Sequence, residues 1–263
     1  MSILCWQIDA FTDRPFGGNP AAVVWLETEA TTEWMQSVAA EMNLSETAFA
    51  RRTEDGLELR WFTPTIEVDL CGHATLATAR AIWSEGLCSS DVPLQFNTRS
   101  GVLTCRSVGD MIELDFPATP PTEIAITQQM IESLGTTPTY VGSSRFYQLA
   151  VVNSPEVVKS VQPDFRKMSQ LPTLGVIVTA KSDDNRFDFV SRFFAPAMGV
   201  DEDPVCGSAH CCLAPYWSGK LGKTSFVAYQ ASARGGILWL RYERDRVILG
   251  GKAAIVWRGD CFC

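Results

Sequence analysis

Hydrophobic residues along the chain recur with two periods, one typical of β-strands and the other of α-helices. In the first half, apolar residues that alternate with polar ones predict strands at 3–11, 21–25, 57–61, 102–105 and 111–116. Met35, Val38, Ala39 and Met42 are spaced as on one face of a helix, which predicts a helix over 32–42. A second helix is predicted over 74–84, where Gly86 is the expected stop.

The second half repeats this order of elements. The pattern predicts strands at 174–179, 187–194, 226–229, 237–242 and 247–249, and a helix that ends near Trp217. Pro215 inside that helix is expected to shorten or kink it. The segment 117–138 is rich in proline and threonine, and we interpret it as a linker with a short helical pattern near 124–134. We therefore predict two domains, residues 1–117 and residues 118–263.

One motif occurs in each half, as RWFTPTIEVDLCGHATLA at 60–77 and as RFFAPAMGVDEDPVCGSAHCCLA at 192–214. The second copy has three additional residues, which we place at Glu202-Asp203-Pro204. Downstream, a constant spacing of 135 residues relates Cys71 to Cys206 and Gly101 to Gly236. A repeat of this length predicts two similar, pseudo-symmetric domains rather than a solenoid.

Composition excludes several classes of protein. Hydrophobic residues make up 46% of the 263 residues, which indicates a folded chain, and the net charge of −8 with scattered basic residues argues against a nucleic-acid partner. We find no apolar run of roughly 20 residues, so no membrane span is expected. The start, MSILCWQIDAF, lacks the pattern of a signal peptide. The chain contains nine cysteines, an odd number that fits reduced thiols better than a framework of disulfide bonds. We therefore expect a cytoplasmic protein.

The two Cys-Gly turns carry the first candidate chemistry. Each turn lies between a strand and a helix, so backbone N–H groups near Gly72 and Gly207 are expected to bind an anion. A thiol at a helix N-terminus can have a lowered pKa, which would make Cys71 and Cys206 reactive. Two thiols that reach opposite faces of one carbon could invert a stereocentre by proton transfer. The alternative is that both are ordinary buried cysteines.

The two histidines, His73 and His210, each lie within four residues of a repeat cysteine. A zinc site with Cys71 and Cys206 is conceivable from these ligand types, but the spacings differ from those of structural zinc sites, so we predict no metal. His73 is interpreted as a donor or proton carrier at the mouth of the helix. His210 is interpreted as a packed helix residue.

Two acidic residues are further candidates. Asp203 lies in the segment that breaks the repeat, although an aspartate before proline is also common in turns. Glu46 precedes an apolar run, and the local sequence by itself favours a plain acid at the edge of a strand.

Five segments together resemble the PhzF-like proteins of phenazine biosynthesis: DAFTDRPFGGNPAAVV, NLSETAFA, RWFTPT, DLCGHATLA and DEDPVCGSAH. The resemblance extends from about Asp9 to Gly251. It implies the fold of diaminopimelate epimerase and proline racemase, which is an α+β fold. Two pseudo-symmetric domains would each form a β-barrel-like sheet around a central helix. The active site would lie in the interdomain cleft, and a homodimer is possible.

The resemblance also implies roles for individual residues. In the phenazine branch the glutamate of the NLSETAF-type motif, here Glu46, is the acid/base, and the equivalents of His73, Asp203 and Ser208 bind the substrate. In the epimerase branch the catalytic pair is two cysteines at the positions of Cys71 and Cys206. The phenazine branch usually has threonine or another residue at the position of Cys206. This chain therefore contains both residue sets.

Three hypotheses follow. The first is a one-base isomerase that acts on a small carboxylate substrate through Glu46, assisted by Asp203 and His73. The second is a two-thiol epimerase or racemase with Cys71 and Cys206. Either enzyme would be cofactor-independent, because no glycine-rich nucleotide loop or metal set is found. The third is a ligand-binding protein that a reversible Cys71–Cys206 disulfide would close.

Overall fold

The computed structural model describes residues 3–262. Its strands are β1 Ile3–Ala10, β2 Asn19–Leu26, β3 Glu46–Thr53, β4 Gly56–Phe62, β5 Glu67–Val68, β6 Leu94–Thr98, β7 Gly101–Val108, β8 Met111–Pro117, β9 Thr122–Ile124, β10 Tyr140–Ser143, β11 Tyr147–Val151, β12 Gly175–Lys181, β13 Phe189–Ala195, β14 Val200–Asp203, β15 Ser225–Gln230, β16 Gly236–Glu243, β17 Arg246–Gly251 and β18 Ala253–Cys261. Its α-helices are α1 Thr32–Met42, α2 Gly72–Ser84, α3 Gln128–Leu134, α4 Pro155–Ser160, α5 Phe165–Met168 and α6 Gly207–Leu221. A short 3₁₀ helix spans Pro196–Met198. Within 3–262, none of the helices has both the length and the apolar character that a bilayer crossing requires.

The chain folds as two compact units, of which the first comprises 1–115 and 250–263. In this unit β1 pairs with both β2 and β18, β2 runs parallel to β3, and β3 continues antiparallel into β4. The helix α2 packs against β1, β2, β3 and β18. Because α2 is buried on nearly every side, it forms the centre of the unit and not a surface layer.

The second unit comprises 116–249 and has the same plan. Here β11 runs parallel to β12, β12 pairs antiparallel with β13, and β13 runs parallel to β15. The central helix is α6, which packs against β11 and β16. Two units with a central helix each agree with the expected α+β fold, and the strands and helices listed from the sequence pattern are present.

The predicted boundary at 117/118 lies close to the point where the second unit begins, but the last strand differs from the prediction. Residues 250–263 were predicted in the second domain, whereas β18 pairs with β1 along its length. The interpretation of 117–138 as a linker was wrong. This segment contains β9, which pairs with β10, and α3, whose Met130 and Leu134 are buried in the core of the second unit.

Pro215 does not shorten its helix, so this alternative of the prediction was wrong: α6 continues to Leu221, past the predicted end near Trp217. A proline lacks the N–H that would bond to the carbonyl four residues earlier, which here is the carbonyl of Cys211. The backbone N–H of Thr119 donates to that carbonyl at 3.0 Å instead. The helix therefore tolerates Pro215 because another segment satisfies the acceptor that the proline leaves open.

The structure also corrects the position of the insertion in the second repeat. Arg60 forms a two-pronged ion pair with Glu67, and Arg192 forms the same pair with Glu202. Glu67 and Glu202 each lie four residues before their repeat cysteine, so they are equivalent. The additional residues therefore lie upstream, around the 3₁₀ helix Pro196–Met198, and Asp203 replaces Val68 instead of being inserted.

Candidate functional site

Three predicted site residues meet in the first unit. The Nε2 atom of His73 lies 3.1 Å from Oε2 of Glu46, and the Nδ1 atom lies 3.5 Å from Sγ of Cys71. Asn19, which the sequence analysis did not single out, places its Nδ2 atom 3.2 Å from the same Nδ1. The imidazole of His73 is thus held between a carboxylate on one ring nitrogen and a thiol and an amide on the other.

Adjacent elements bring these side chains together. Asn19 begins β2 and Glu46 begins β3, and the parallel pairing of Ala21 with Glu46 puts both ends at one edge of the sheet. Cys71 is the N-cap residue of α2, so His73 lies in the first turn of that buried helix. The site is therefore formed by the ends of two neighbouring strands and the start of the central helix.

Burial determines the state of the thiol. Desolvation, and next the negative charge of Glu46, raise the pKa of Cys71 above its ordinary value. The expectation that the helix N-terminus would lower this pKa was wrong, because loss of hydration outweighs the interactions that favour the thiolate. Cys71 is consequently a neutral thiol at ordinary pH.

The pKa of His73 is raised well above its usual value, although burial by itself acts in the opposite direction. Negative charge on Cys71 and on Glu46 favours the imidazolium. The contribution of Cys71 requires a thiolate, which its own raised pKa makes scarce. We therefore attribute the increase mainly to the carboxylate of Glu46.

Glu46, Cys71 and His73 also carry the types of ligand atom that bind metals. Ligand atoms of Glu46, Cys71 and His73 lie within 4.8 Å of one another. However, the ring nitrogen nearest to the thiol is Nδ1, whereas the one nearest to the carboxylate is Nε2. One ion cannot take both nitrogens of a single imidazole, so the arrangement fits a carboxylate–imidazole ion pair beside a thiol better than a metal centre.

A second group of predicted residues lies in the second unit. The Sγ atom of Cys206 is 3.2 Å from Oγ of Ser208, which in turn is 2.9 Å from the hydroxyl of Tyr147. Gln230 accepts a hydrogen bond from the backbone N–H of Cys206 at 3.0 Å and donates one to the carbonyl of Asp203 at 2.7 Å. The segment that leads into α6 is thereby fastened to the sheet at two points.

Cys206 is also poorly suited to be a thiolate. Burial is the largest cause that raises its pKa well above the ordinary value, and the charge of Asp203 adds to the increase. Burial likewise raises the pKa of Tyr147. The expectation of a lowered thiol pKa was therefore wrong for Cys206 as well.

We expect Gln230→Leu to destabilise the second unit, because it leaves the N–H of Cys206 and the carbonyl of Asp203 without this partner. A buried polar group that loses its partner costs about 1–3 kcal/mol. Urea unfolding should show this loss, while the control Gln128→Leu, which removes an exposed contact to Glu132, should stay near the parent. Equal midpoints for the two variants would contradict the role assigned to Gln230.

His210 is a packed residue, as the sequence analysis suggested. Its ring is fully buried against Phe189, and Nδ1 lies 2.8 Å from the carbonyl of Cys206. Burial lowers the pKa of His210 to about 4. The neutral imidazole therefore donates from Nδ1 at physiological pH.

This lowered pKa predicts a loss of stability in mild acid. Between pH 6.5 and 4 the unfolded chain binds a proton at His210 that the folded chain does not, so unfolding becomes easier as the pH falls, by up to roughly 3 kcal/mol. Urea unfolding at pH 7 and 4.5 should show a smaller decrease in His210→Asn than in the parent. The same decrease in both proteins would contradict the prediction.

The two units differ at the position of Glu46. Thr47 pairs with Phe62 and Val176 pairs with Phe194, and these phenylalanines are matching residues of the repeat. The residue equivalent to Glu46 is therefore Gly175. A Cβ at Gly175 would lie 2.7 Å from the ring of Phe193, so this position has no room for a side chain. The acid belongs to the first unit alone.

Sequence reasoning missed Asn19, Tyr147 and Gln230. The sequence around Asn19 offered an indication, because asparagine is uncommon in strands and here stands between Gly18 and Pro20 where a strand begins. Tyr147 and Gln230 had none, because they lie far along the chain from Ser208 and Cys206. Gly72 and Gly207, which were predicted to bind an anion, are the first residues of α2 and α6.

The fold and the site together define an α+β protein of two similar units with a carboxylate–histidine pair in one of them. Comparison with known proteins gives the family: residues 8–259 match phenazine biosynthesis-like proteins, and the chain belongs to this family.

An uncharacterized isomerase of Halalkalibacterium halodurans is 51% identical over 99% of this chain and 98% of its own. One of Pseudomonas aeruginosa is 49% identical over 96% of each chain. A PhzF-family crystal structure from Enterococcus faecalis is 42% identical, with a TM-score of 0.96 over the whole of both chains. A probable proline racemase of Agrobacterium radiobacter, at 10% identity and a TM-score of 0.66, shares the fold.

Proposed function

We propose that the protein is a cofactor-independent isomerase that moves a proton within a small carboxylate substrate, with Glu46 as the acid/base. The protein is an enzyme of the isomerase class, the class named for its relatives at 49–51% identity. The identity of the base, the substrate class and the absence of a cofactor are the proposed parts.

The pairing of Glu46 with His73 carries the proposal. The side chain of Glu46 is 20% exposed, whereas that of His73 is 7% exposed, so the carboxylate is the member of the pair that a substrate can reach. The imidazole of His73, with Nε2 3.1 Å from Oε2 of Glu46, can compensate the charge of the carboxylate. Cys71 and Cys206 are less suitable bases, because both have raised pKa values.

The proposed step needs no oxidant or reductant. Glu46 takes a proton from a carbon whose C–H bond is acidified by a neighbouring carbonyl or conjugated group, and the bonding electron pair is delocalised over the substrate. Protonated Glu46 then returns the proton to a different carbon, and the double bond shifts. A positioned acid/base of this kind contributes typically 10²–10⁴ to the rate.

The start of α2 supports binding of a carboxylate next to Glu46. The side chain of Cys71 does not cap this helix, so N–H groups of the first turn, at Gly72 and His73, remain available to an anion. Donors at this position would also stabilise the negative charge that develops during proton transfer. Substrate contacts from Asp203, Gly207 and Ser208, a cytoplasmic location and a homodimer stay predictions.

A two-thiol epimerase is the second candidate, and one observation favours it. Cys71 and Cys206 are the N-cap residues of the two central helices, at equivalent positions. This mechanism needs one sulfur as a thiolate, which the raised pKa values of both disfavour. The disulfide-gated binding protein is the third candidate, and it predicts ligand binding that depends on reduction, with no proton exchange.

The test is exchange of carbon-bound hydrogen in D₂O, followed by NMR across a panel of small unsaturated, hydroxy and amino carboxylates. We expect at least one compound to isomerise or exchange with the protein alone, without added metal or organic cofactor. Activity that appears only after a cofactor is added, or ligand binding with neither isomerisation nor exchange across the panel, would contradict the proposal.

A further inference from the structure

We infer that Asn19 is a positioning residue that keeps the proton of neutral His73 on Nε2, where it faces Glu46. The effect on activity rests on the proposed role of Glu46, whereas the position of the proton does not.

The argument begins at Glu46. The ring nitrogen nearest to the carboxylate of Glu46 is Nε2, at 3.1 Å, in an ion-pair contact that lacks the alignment of a hydrogen bond. A lone pair on Nε2 would be repelled by the negative charge of an ionised carboxylate, so a proton on this nitrogen is electrostatically favoured. In neutral His73 the proton is then on Nε2 and Nδ1 is an acceptor. An acceptor in a side chain this buried needs a donor, because an unpaired buried nitrogen is costly.

Asn19 supplies that donor. Its side chain is fully buried, with Nδ2 at 3.2 Å from Nδ1 of His73. The remaining amide oxygen lies 3.5 Å from the hydroxyl of Ser45, which can donate to it. The neutral thiol of Cys71, at 3.5 Å, is a second and weaker donor towards Nδ1. Hydroxyl, amide and imidazole thus form a chain with one consistent direction of donation, which leaves the proton of neutral His73 on Nε2, next to the carboxylate of Glu46.

Replacement by aspartate reverses this direction with little change in shape. The carboxylate of Asn19→Asp cannot donate to Nδ1 and would accept a proton from it instead. His73 would then carry its neutral proton on Nδ1 or hold both protons. In the first case a bare Nε2 faces the carboxylate of Glu46, and in the second the ring keeps its positive charge at pH values where the parent ring is neutral.

The chain is well suited to the measurement because it contains only two histidines. His210 is an internal reference, since its Nδ1 bonds to a carbonyl and must carry the proton. With ¹⁵N-labelled histidine and no substrate, long-range ¹H–¹⁵N spectra above the pKa of His73 should show opposite tautomers, Nε2–H for His73 and Nδ1–H for His210.

In Asn19→Asp we expect His73 to move to the Nδ1–H or doubly protonated form, with His210 unchanged. The control Asn97→Asp, at an exposed amide that donates to the carbonyl of Asp55, should leave both histidines as in the parent. We also expect kcat of Asn19→Asp to fall roughly 10–100-fold with little change in KM, as for other partners that orient a histidine.

The inference is overturned if the parent protein shows His73 in the Nδ1–H form, or if Asn19→Asp folds and leaves the His73 tautomer unchanged. The spectrum of the parent protein alone decides the matter if the variant does not fold. Because no substrate is present, a correct tautomer together with an inactive protein would count against the proposed isomerase and not against Asn19.

Discussion

Glu46→Gln is expected to lower kcat/KM by about 10²–10⁴-fold while the protein remains folded. The amide has nearly the same shape as the carboxylate but cannot accept a proton from carbon, so only the proton-transfer contribution is removed. The partly exposed position of Glu46 at the start of β3 makes a large loss of stability unexpected. Initial rates of isomerisation or hydrogen exchange measure the effect.

The matched control is Glu58→Gln on β4, where the glutamate forms an ion pair with Arg51. A surface pair of this kind is worth at most about 1 kcal/mol, and it lies outside the proposed site, so activity should stay near that of the parent. If Glu46→Gln kept the activity of the parent, Glu46 would not be the acid/base. An equal loss in both variants would point to a general effect of the substitution.

Gly18→Ala is expected to cause the largest loss of stability among single methyl additions in the first unit. Gly18 has φ of +59°, and a Cβ there would lie 2.0 Å from the backbone oxygen of Ala10. A backbone atom in a strand cannot move aside as a flexible side chain can. We expect the free energy of unfolding to fall by more than about 3 kcal/mol, together with displacement of the neighbouring Asn19.

Gly109→Ala separates the clash from the backbone strain. Gly109 has a similar φ of +64° in the turn between β7 and β8, but nothing lies within 4 Å of its missing Cβ. This variant should lose only about 1–2 kcal/mol, the cost of the left-handed conformation. Similar urea midpoints for the two variants would show that the close approach at Gly18 is unimportant.

The sequence pattern was sufficient to predict those helices and strands whose apolar residues are regularly spaced. The helix predicted over 32–42 is α1 with the same bounds, because its apolar residues are regularly spaced and Thr31 caps its first turn. The duplication was also readable, since Cys71 and Cys206 begin the two central helices. These features depend on residues that are close together in the chain.

Features that depend on distant pairings could not be predicted. Nothing near residue 253 indicates that β18 belongs beside β1, and nothing near Pro215 indicates that Thr119 bonds to the carbonyl of Cys211. The thiol pKa values were predicted in the wrong direction for the same reason. The helix N-terminus is visible in the sequence, whereas the burial that outweighs it appears only in the folded protein.

The equivalence of Glu46 with Gly175, and of Val68 with Asp203, changes how the duplication is understood. The repeat by itself suggested symmetric chemistry with one thiol from each half. The pairing registers show that each unit has a polar residue where the other has none. A duplicated fold therefore supports an asymmetric set of groups, which is what a single base requires.

The most direct test of this one-base account is the origin of the hydrogen in the product of a single turnover in D₂O. A single base that returns the proton it removed predicts a product that keeps part of the substrate-derived hydrogen, without inversion of a stereocentre. The transfer of substrate-derived hydrogen to the product should disappear in Glu46→Gln and persist in Cys206→Ala. A product that is fully deuterated and inverted in the first turnover, and whose formation requires Cys206, would contradict the account.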